Sequence, residues 1–214
     1  EDMFRSVAFA RDRWLCEGGQ MLPQRCRLHA APFSHDDFVE KQTGFWGSKP
    51  YGVDLSILAF HALDQHICRP VIQILKEEQL LGNSCLLFDL DCKNAARDDA
   101  RKQECKFLSR IKQPGRFHGV AAWFDCELVP GVHFTTGPEG IATHWEQTLL
   151  FLDPASEIMD LMLDEGDEIE GELRWLVAGK DLGVVVLGKV RRKDGTASND
   201  EDLRFGRRLV LNLI

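Results

Sequence analysis

Thr143-His144-Trp145-Glu146-Gln147-Thr148-Leu149-Leu150-Phe151-Leu152 is the stretch on which the reading of this chain turns. Its second half is short, continuous and apolar, which predicts a buried β-strand over Gln147 to Leu152. Its first half sets a hydroxyl, an imidazole and an indole side by side where a loop enters that strand. Upstream, Phe134-Thr135-Thr136-Gly137-Pro138 carries turn residues. A loop at the mouth of a rigid strand is a common place to present binding groups. An indole can stack on a guanidinium, and an imidazole can hydrogen-bond on two sides. Taken alone, the triple also fits ordinary packing.

Working outward, short strands dominate from Val71 onward. They are expected at Val71–Leu75, Cys85–Cys92, Cys105–Ile111, Arg116–Leu128, Gln147–Leu152, Glu168–Val177, Gly183–Arg191 and Leu203–Leu213. Gln113-Pro114-Gly115, Asp194-Gly195 and Ser198-Asn199-Asp200 separate some of them as turns. Many short strands divided by Gly and Pro predict a mainly β fold, a β-barrel or closed sandwich. Asn94 to Lys102 is charged and has no period, so it reads as a surface loop. Before the strands, Phe4, Val7, Ala8 and Leu15 fall on helical spacing, and Gly18-Gly19 ends that helix. Arg25 to Ala31 alternates as a strand. Pro32 to Arg69 is helical and aromatic (Phe33, Phe38, Phe45, Trp46, Tyr51, Phe60), with Asp36-Asp37 placed to cap its first helix and Pro50 with Gly52 to break it from the next.

Composition narrows the function. The 214 residues hold 26 basic and 34 acidic side chains, a formal charge of −8. Glu157 to Glu172 alone carries acids at 157, 160, 164, 165, 167, 168, 170 and 172 and no base, so it accounts for that whole imbalance. It reads either as a solvated strand pair and turn or as a strip that steers an Arg-rich substrate. A net acidic chain argues against nucleic acid as the direct ligand. Seven cysteines without a C-x-x-C pair point to reduced thiols in an intracellular protein and away from a zinc site. No apolar run approaches the ~20 residues of a membrane helix. A nucleotide-type cofactor needs a strand, a glycine-rich turn and a helix. Gly18-Gly19 follows a helix and Gly137…Gly140 lies between strands, so no such unit is expected here.

Residues in several separate places then converge. Glu1-Asp2-Met3, Ala10-Arg11-Asp12-Arg13-Trp14-Leu15, Gly18-Gly19…Pro23, Tyr51-Gly52-Val53-Asp54-Leu55-Ser56, His118-Gly119-Val120-Ala121-Ala122-Trp123-Phe124 and the Thr-His-Trp loop resemble, in family order, the protein arginine N-methyltransferases. The resemblance runs from Glu1 to about Leu152 and beyond Asp153 is only a pattern of strands. Phe45-Trp46 and His118-Gly119 lean toward one subtype of that family. The resemblance implies three parts. Residues 1–31 would be the last helix and strand of an α/β domain that binds S-adenosyl-L-methionine (AdoMet), residues 32–70 a helical dimerisation arm, and residues 71–214 the substrate-binding β-barrel. The chain would then be the C-terminal part of a longer enzyme, inactive alone, with AdoMet bound by the missing N-terminal domain.

By resemblance, Glu1 matches the second of two glutamates that grip the substrate guanidinium. That role suits carboxylates, because arginine stays protonated and a carboxylate accepts two hydrogen bonds from its planar fork. Met3 matches a methionine that limits space around the reacting nitrogens. His144 organises the loop toward the N-terminal region, and Trp145 walls the arginine pocket. Two positions depart from the family pattern: Asp2 stands where many members have a small residue, and Glu146 replaces the usual lysine. The implied substrates are histone tails or Arg/Gly-rich proteins, asymmetrically dimethylated in the nucleus or cytoplasm, by a homodimer joined through the arm. The alternative is a non-catalytic methyltransferase-like subunit that dimerises with and activates a true enzyme.

Overall fold

The computed structural model describes residues 3–101, 104–178, 181–193 and 203–211. Helix α1 (Met3–Trp14) leads to β1 (Arg25–Phe33), followed by α2 (Asp36–Gly47) and α3 (Ile57–Ile67). Strands then follow: β2 (Val71–Gln73), β3 (Cys85–Asp91), β4 (Glu104–Arg110), β5 (Gly115–Arg116), β6 (Gly119–Val129), β7 (Val132–Thr135), β8 (Gln147–Phe151), β9 (Met162–Leu163), β10 (Glu168–Ala178), β11 (Asp181–Arg191) and β12 (Leu203–Leu211).

Among the described residues these strands make a larger sheet in the order β2-β8-β6-β1-β3, with β7 added to β6, and a second sheet in the order β12-β11-β10-β4. The short β5 and β9 pair with each other. The expected barrel takes the form of open sheets wrapped on a shared core. Bridges at Phe33↔Leu80 and Gly82↔Ile111 stitch their near edges. Phe33, Phe151 and Leu149 from the larger sheet meet Ile169, Leu173 and Leu209 from the smaller one in a single buried cluster. Phe33 and Phe151 pack edge to face with centroids 5.0 Å apart, as do Phe117 and Phe205 at 5.2 Å.

Charge fixes the register of β1. Arg25 and Arg27 lie between acids on both neighbouring strands, opposite Asp91 and Asp89 on β3 and opposite Glu127 and Asp125 on β6. Arg27 reaches Asp89 at 3.3 Å and Glu127 at 3.5 Å. A one-residue slip would turn these charges onto the opposite face. In the smaller sheet, Phe107, Gly171, Gly188 and Phe205 form one row across four strands. A side chain at Gly171 would begin 2.2 Å from the Phe107 ring, so the glycines provide the floor on which the two rings lie.

Several expectations change. β1 is hydrogen-bonded on both sides to strands of the 71–214 region, so the sheet crosses the boundary drawn at residue 31. The strand expected over Arg116–Leu128 is two strands, because buried Phe117 and His118 turn aside to donate their N–H groups to Leu161 O and Phe33 O. Gly119 then resumes the ladder, where a Cβ would meet the Leu150 carbonyl at 2.2 Å. His35, not Asp36 or Asp37, caps α2: its Nδ1 accepts from Phe38 N–H at 3.3 Å, and the two acids occupy the first turn. Phe134 and Thr135 belong to β7 and not to the turn. No helix among the described residues is long and apolar enough to cross a membrane.

The arm divides along its length. Its base belongs to the core, where Leu63 and Ile67 are buried and Phe38 stacks on Phe151 at 5.0 Å. Arg207 from β12 clamps it by pairing with Asp64 at 2.7 Å. Its far end is open. Tyr51 is 94% exposed and Ile57 80%, with Phe45, Val53, Leu58 and Phe60 also on the surface.

Candidate functional site

Thr143 to Glu146 form a tight turn closed by Glu146 N–H donating to Thr143 O at 3.2 Å. Glu146 adopts φ +51°, a left-handed conformation unusual for a side-chain-bearing residue. That reversal delivers the chain into β8 and leaves Trp145 raised at the rim, 49% exposed. The indole stacks on Phe134 of β7, with centroids 5.7 Å and planes 18° apart. Phe124 of β6 meets it edge-on at 5.7 Å, and the His144 ring lies 4.1 Å away at a tilt of 34°. The result is an aromatic shelf at the sheet rim, packed by Phe134, Phe124 and His144, whose indole is half exposed.

A buried polar frame holds the shelf from behind. Gln147, the first residue of β8, donates from Nε2 to Thr136 O and accepts from Leu75 N–H at Oε1, each at 2.6 Å. Thr136 is itself buried, and its hydroxyl accepts from Phe124 N–H at 3.1 Å while donating to Phe124 O at 3.0 Å. Four segments are therefore tied at one point: β2's exit, β6, β7 and β8. Thr143 Oγ1 is buried without a hydrogen-bond partner among the described residues, a cost at the turn itself.

The expected site residues separate into groups. His144 and Trp145 are brought into contact at the shelf. Met3 opens α1 and is 65% exposed. Glu1 lies outside the described residues. Among the described residues, the ring contacts of Trp145 are with Phe124, Phe134 and His144, all from its own sheet and turn.

Helix α1 is docked through residues that the sequence reading treated as a loop. Arg11 Nη1 donates to Cys92 O at 2.9 Å and to Ala95 O at 2.8 Å. Asp12 joins Arg11 to Arg97, and hydrogen bonds from those two guanidiniums hold its carboxyl below the usual range. Arg97 lies over the Phe9 ring at 5.0 Å. Residues 92–97 are thus a seat for α1. The only sequence signal for it was the Arg11-Asp12-Arg13 run, whose partners lie about eighty positions away.

Three acids of the run are paired with bases. Asp167 is buried; burial pushes its carboxyl up, but N–H groups of Asp164 and Lys193 and the Arg192 guanidinium, 2.6 Å away, bring it below the usual range. Glu170 pairs with Lys189 and Arg191, and Glu172 with Arg174. The strip therefore shares the charge of three of its eight acids with bases on β10, β11 and the residue after it. Gln147, Phe124 and Phe134 were not anticipated as parts of the site. Alternation along β6 was the one available hint, since it sets Phe124 opposite the core residue Trp123.

A model of the arginine methyltransferase oligomerization subdomain matches residues 24–180. The chain is 32% identical over 178 residues to Protein arginine N-methyltransferase 1.1 of Arabidopsis thaliana, covering 81% of this chain and 42% of that protein. It is 32% identical over 182 residues to Protein arginine N-methyltransferase 6 of Xenopus laevis, covering 81% and 51%. Among solved structures it is similar to the Trypanosoma brucei PRMT1 enzyme-prozyme heterotetrameric complex with AdoHcy. That TM-score is 0.74 at 19% identity, over 97% of this chain and 63% of the other, a likeness of fold. The chain spans about half or less of the length of these curated relatives.

Proposed function

The chain belongs to the arginine methyltransferase family, and we propose that it forms the substrate-facing and dimerising part of an AdoMet-dependent protein arginine N-methyltransferase. The observation that carries this reading is the half-exposed Trp145 indole, backed by Phe134 and flanked by His144, at the rim of a strand locked by Gln147. Such a shelf suits a guanidinium: the exposed part of the indole can meet the flat cation, while the hydrogen-bonding edge of the fork stays free for carboxylates.

The residue roles follow. Glu1 is the carboxylate that grips the fork and draws its positive charge away from the attacking nitrogen. Met3 restricts the space beside that nitrogen, His144 orders the turn, and Trp145 walls the pocket. The described residues do not fit AdoMet. Gly18-Gly19 follow α1, and Gly137 to Gly140 join β7 to β8, so neither pair lies between a strand and a following helix. We therefore assign the methyl donor to a region outside them. The substrates we propose are arginines in histone tails or Arg/Gly-rich proteins, with asymmetric dimethylation and a lean toward subtype 6 in an intracellular, nuclear or cytoplasmic enzyme. The exposed end of the arm is the homodimer contact. Residues 1–31, 32–70 and 71–214 remain the functional division, with β1 shared between the first part and the barrel.

Asp2 and Glu146 favour a second reading, because both add negative charge where the family pattern has none. In that reading the protein is a non-catalytic subunit that dimerises with a true enzyme. Steady-state methyl transfer to an Arg-rich peptide, measured on the intact protein and its Glu1→Gln variant, separates the two. A fall of about a hundredfold or more in turnover supports the catalytic role. Turnover unchanged by the substitution, or absent from the unaltered protein, supports the partner subunit.

A further inference from the structure

Arg110, the last residue of β4, and Lys112 stand on either side of buried Ile111, so both side chains leave the chain toward solvent on one face. This short segment is hydrogen-bonded along both edges. On one edge Asn83 N–H donates to Arg110 O at 3.1 Å and Lys112 N–H to Leu81 O at 2.8 Å. On the other, Ile111 N–H donates to Asp167 O at 2.8 Å and Gly166 N–H to Ile111 O at 3.0 Å. A third base arrives just past the end of β11. Lys193 N–H donates to the buried Asp167 carboxylate at 3.1 Å, and its ammonium donates to Glu165 O at 3.1 Å. Its stem crosses Gly166, where φ is +95° and a Cβ would meet Lys193 Cδ at 3.2 Å. The glycine therefore makes the turn and leaves room for the lysine. These three bases, with Asn83 and Glu165, line an open cavity of about 560 Å³.

The charge of this corner is not compensated by the chain. Arg174, Arg191 and Arg192 all pair with acids. Among the described residues, the Arg110 guanidinium and the Lys112 ammonium make neither an ion pair nor a side-chain hydrogen bond. Glu165 is the one acid on the lining, so three bases leave the cavity with two net positive charges on a chain of net −8. A phosphate monoester carries about −1.5 to −2 near neutral pH, which matches that excess.

We propose that Arg110, Lys112 and Lys193 bind a phosphate group carried on a peptide side chain, a phosphoserine or phosphothreonine. The Arg110 fork gives paired hydrogen bonds to two phosphate oxygens, and the two ammonium groups act as point charges on the others. Lys193 keeps two N–H donors beyond the one spent on Glu165 O. Two observations select this carrier. No aromatic side chain lines the cavity, so a nucleotide base has nothing to stack on. The net negative charge of the chain repels a long polyanion, whereas a single phosphate meets only the local field. No lining residue belongs to the Trp145 shelf or to its Gln147 frame, so the site does not depend on the methyl-transfer reading.

Titration calorimetry on the intact protein tests this with the peptide Gly-Ala-phosphoserine-Ala-Gly and its serine counterpart at fixed ionic strength. Phosphorylation should tighten binding about tenfold or more, the worth of one charge-assisted hydrogen bond, and inorganic phosphate should compete. Arg110→Ala and Lys112→Ala should each remove most of that gain, and both positions are exposed, so the fold should stand. Arg208→Ala, which removes an exposed cation on β12, should leave the gain intact. Equal affinity for the two peptides, or an equal loss in Arg208→Ala, would overturn the proposal. Stabilisation by inorganic phosphate with no gain from the phosphopeptide would assign the site to the free anion and overturn the peptide-borne ligand. The comparison of the two peptides on the unaltered protein decides the matter even where a variant fails to fold.

Discussion

Gln147 Nε2 donates to the carbonyl of Thr136 at 2.6 Å, and this one buried contact ties the turn before β8 to the strand pair β6–β7. Gln147→Leu fills the same space but strands both the Thr136 carbonyl and the Leu75 N–H. At about 1–3 kcal/mol for each buried group left unsatisfied, a loss of roughly 2–6 kcal/mol is expected. Gln147→Glu keeps an acceptor for Leu75 but loses the donor and buries a carboxylate, so it should also destabilise. Urea unfolding of the three proteins measures this. Equal midpoints for Gln147→Leu and the unaltered protein would mean the frame is not structural.

Trp145→Ala should weaken an Arg-rich peptide by about 0.5–2 kcal/mol, or roughly two- to thirtyfold in Kd. Phe134→Ala removes the surface on which the indole stacks and should reproduce part of that loss with Trp145 intact. AdoMet affinity of the intact protein should not change in either. Peptide and AdoMet titrations by calorimetry test the pair, and a Phe134→Ala protein with full peptide affinity would show that the stack does not position the indole.

The arm is tested at its tip and not by deletion. Phe38, Leu63 and Ile67 pack on the core, so removing residues 36–66 would damage the fold along with any interface. Tyr51→Asp with Ile57→Asp alters two of the most exposed apolar side chains. Exposed sites of this kind usually change stability by no more than ~0.5 kcal/mol. The double variant should melt near the unaltered protein yet sediment as a monomer in analytical ultracentrifugation. A variant that stays dimeric would place the interface elsewhere.

His35 makes stability depend on pH. Burial lowers its pKa from the ordinary value of 6.5, opposed by the charges of Asp37 and Asp36 and assisted by Lys76. Its surroundings disfavour a cationic ring: Nδ1 accepts from Phe38 N–H, Nε2 lies 3.2 Å from the donor nitrogen of the Gln73 amide, and the His35 N–H donates to His118 Nδ1 at 2.8 Å. Below pH ~6.5 the unfolded chain binds a proton that the folded one refuses. The contribution of this residue is therefore fully present above that pH and is lost as pH falls toward the lowered folded value. Chemical unfolding at pH 7.5, 6.5 and 5.5 should show falling midpoints. His35→Asn, which keeps a side-chain acceptor for the cap, should flatten the trend; an unchanged slope would assign it to other groups.

The sequence by itself determined the elements and their kinds. Apolar runs such as Thr148 to Leu152 and turn residues such as Pro114-Gly115 mark strands and their ends through local rules of burial and backbone freedom, which operate over a few residues. The helical pattern of 3–14 and the break at Pro50–Gly52 were legible for the same reason, and so was the Thr-His-Trp turn. The tertiary structure alone decided which distant groups meet. Arg11 finds carbonyls 81 and 84 positions away, Cys26 a thiol 100 positions away, and the Asp167 carboxylate a guanidinium 25 positions on. It also decided that β1 joins the later strands, that His35 and not an aspartate caps α2, and that Phe134 stacks beneath Trp145. These outcomes depend on sheet register and on which buried polar atoms must be satisfied, and both are settled by the whole packed core and not by any window of neighbouring residues.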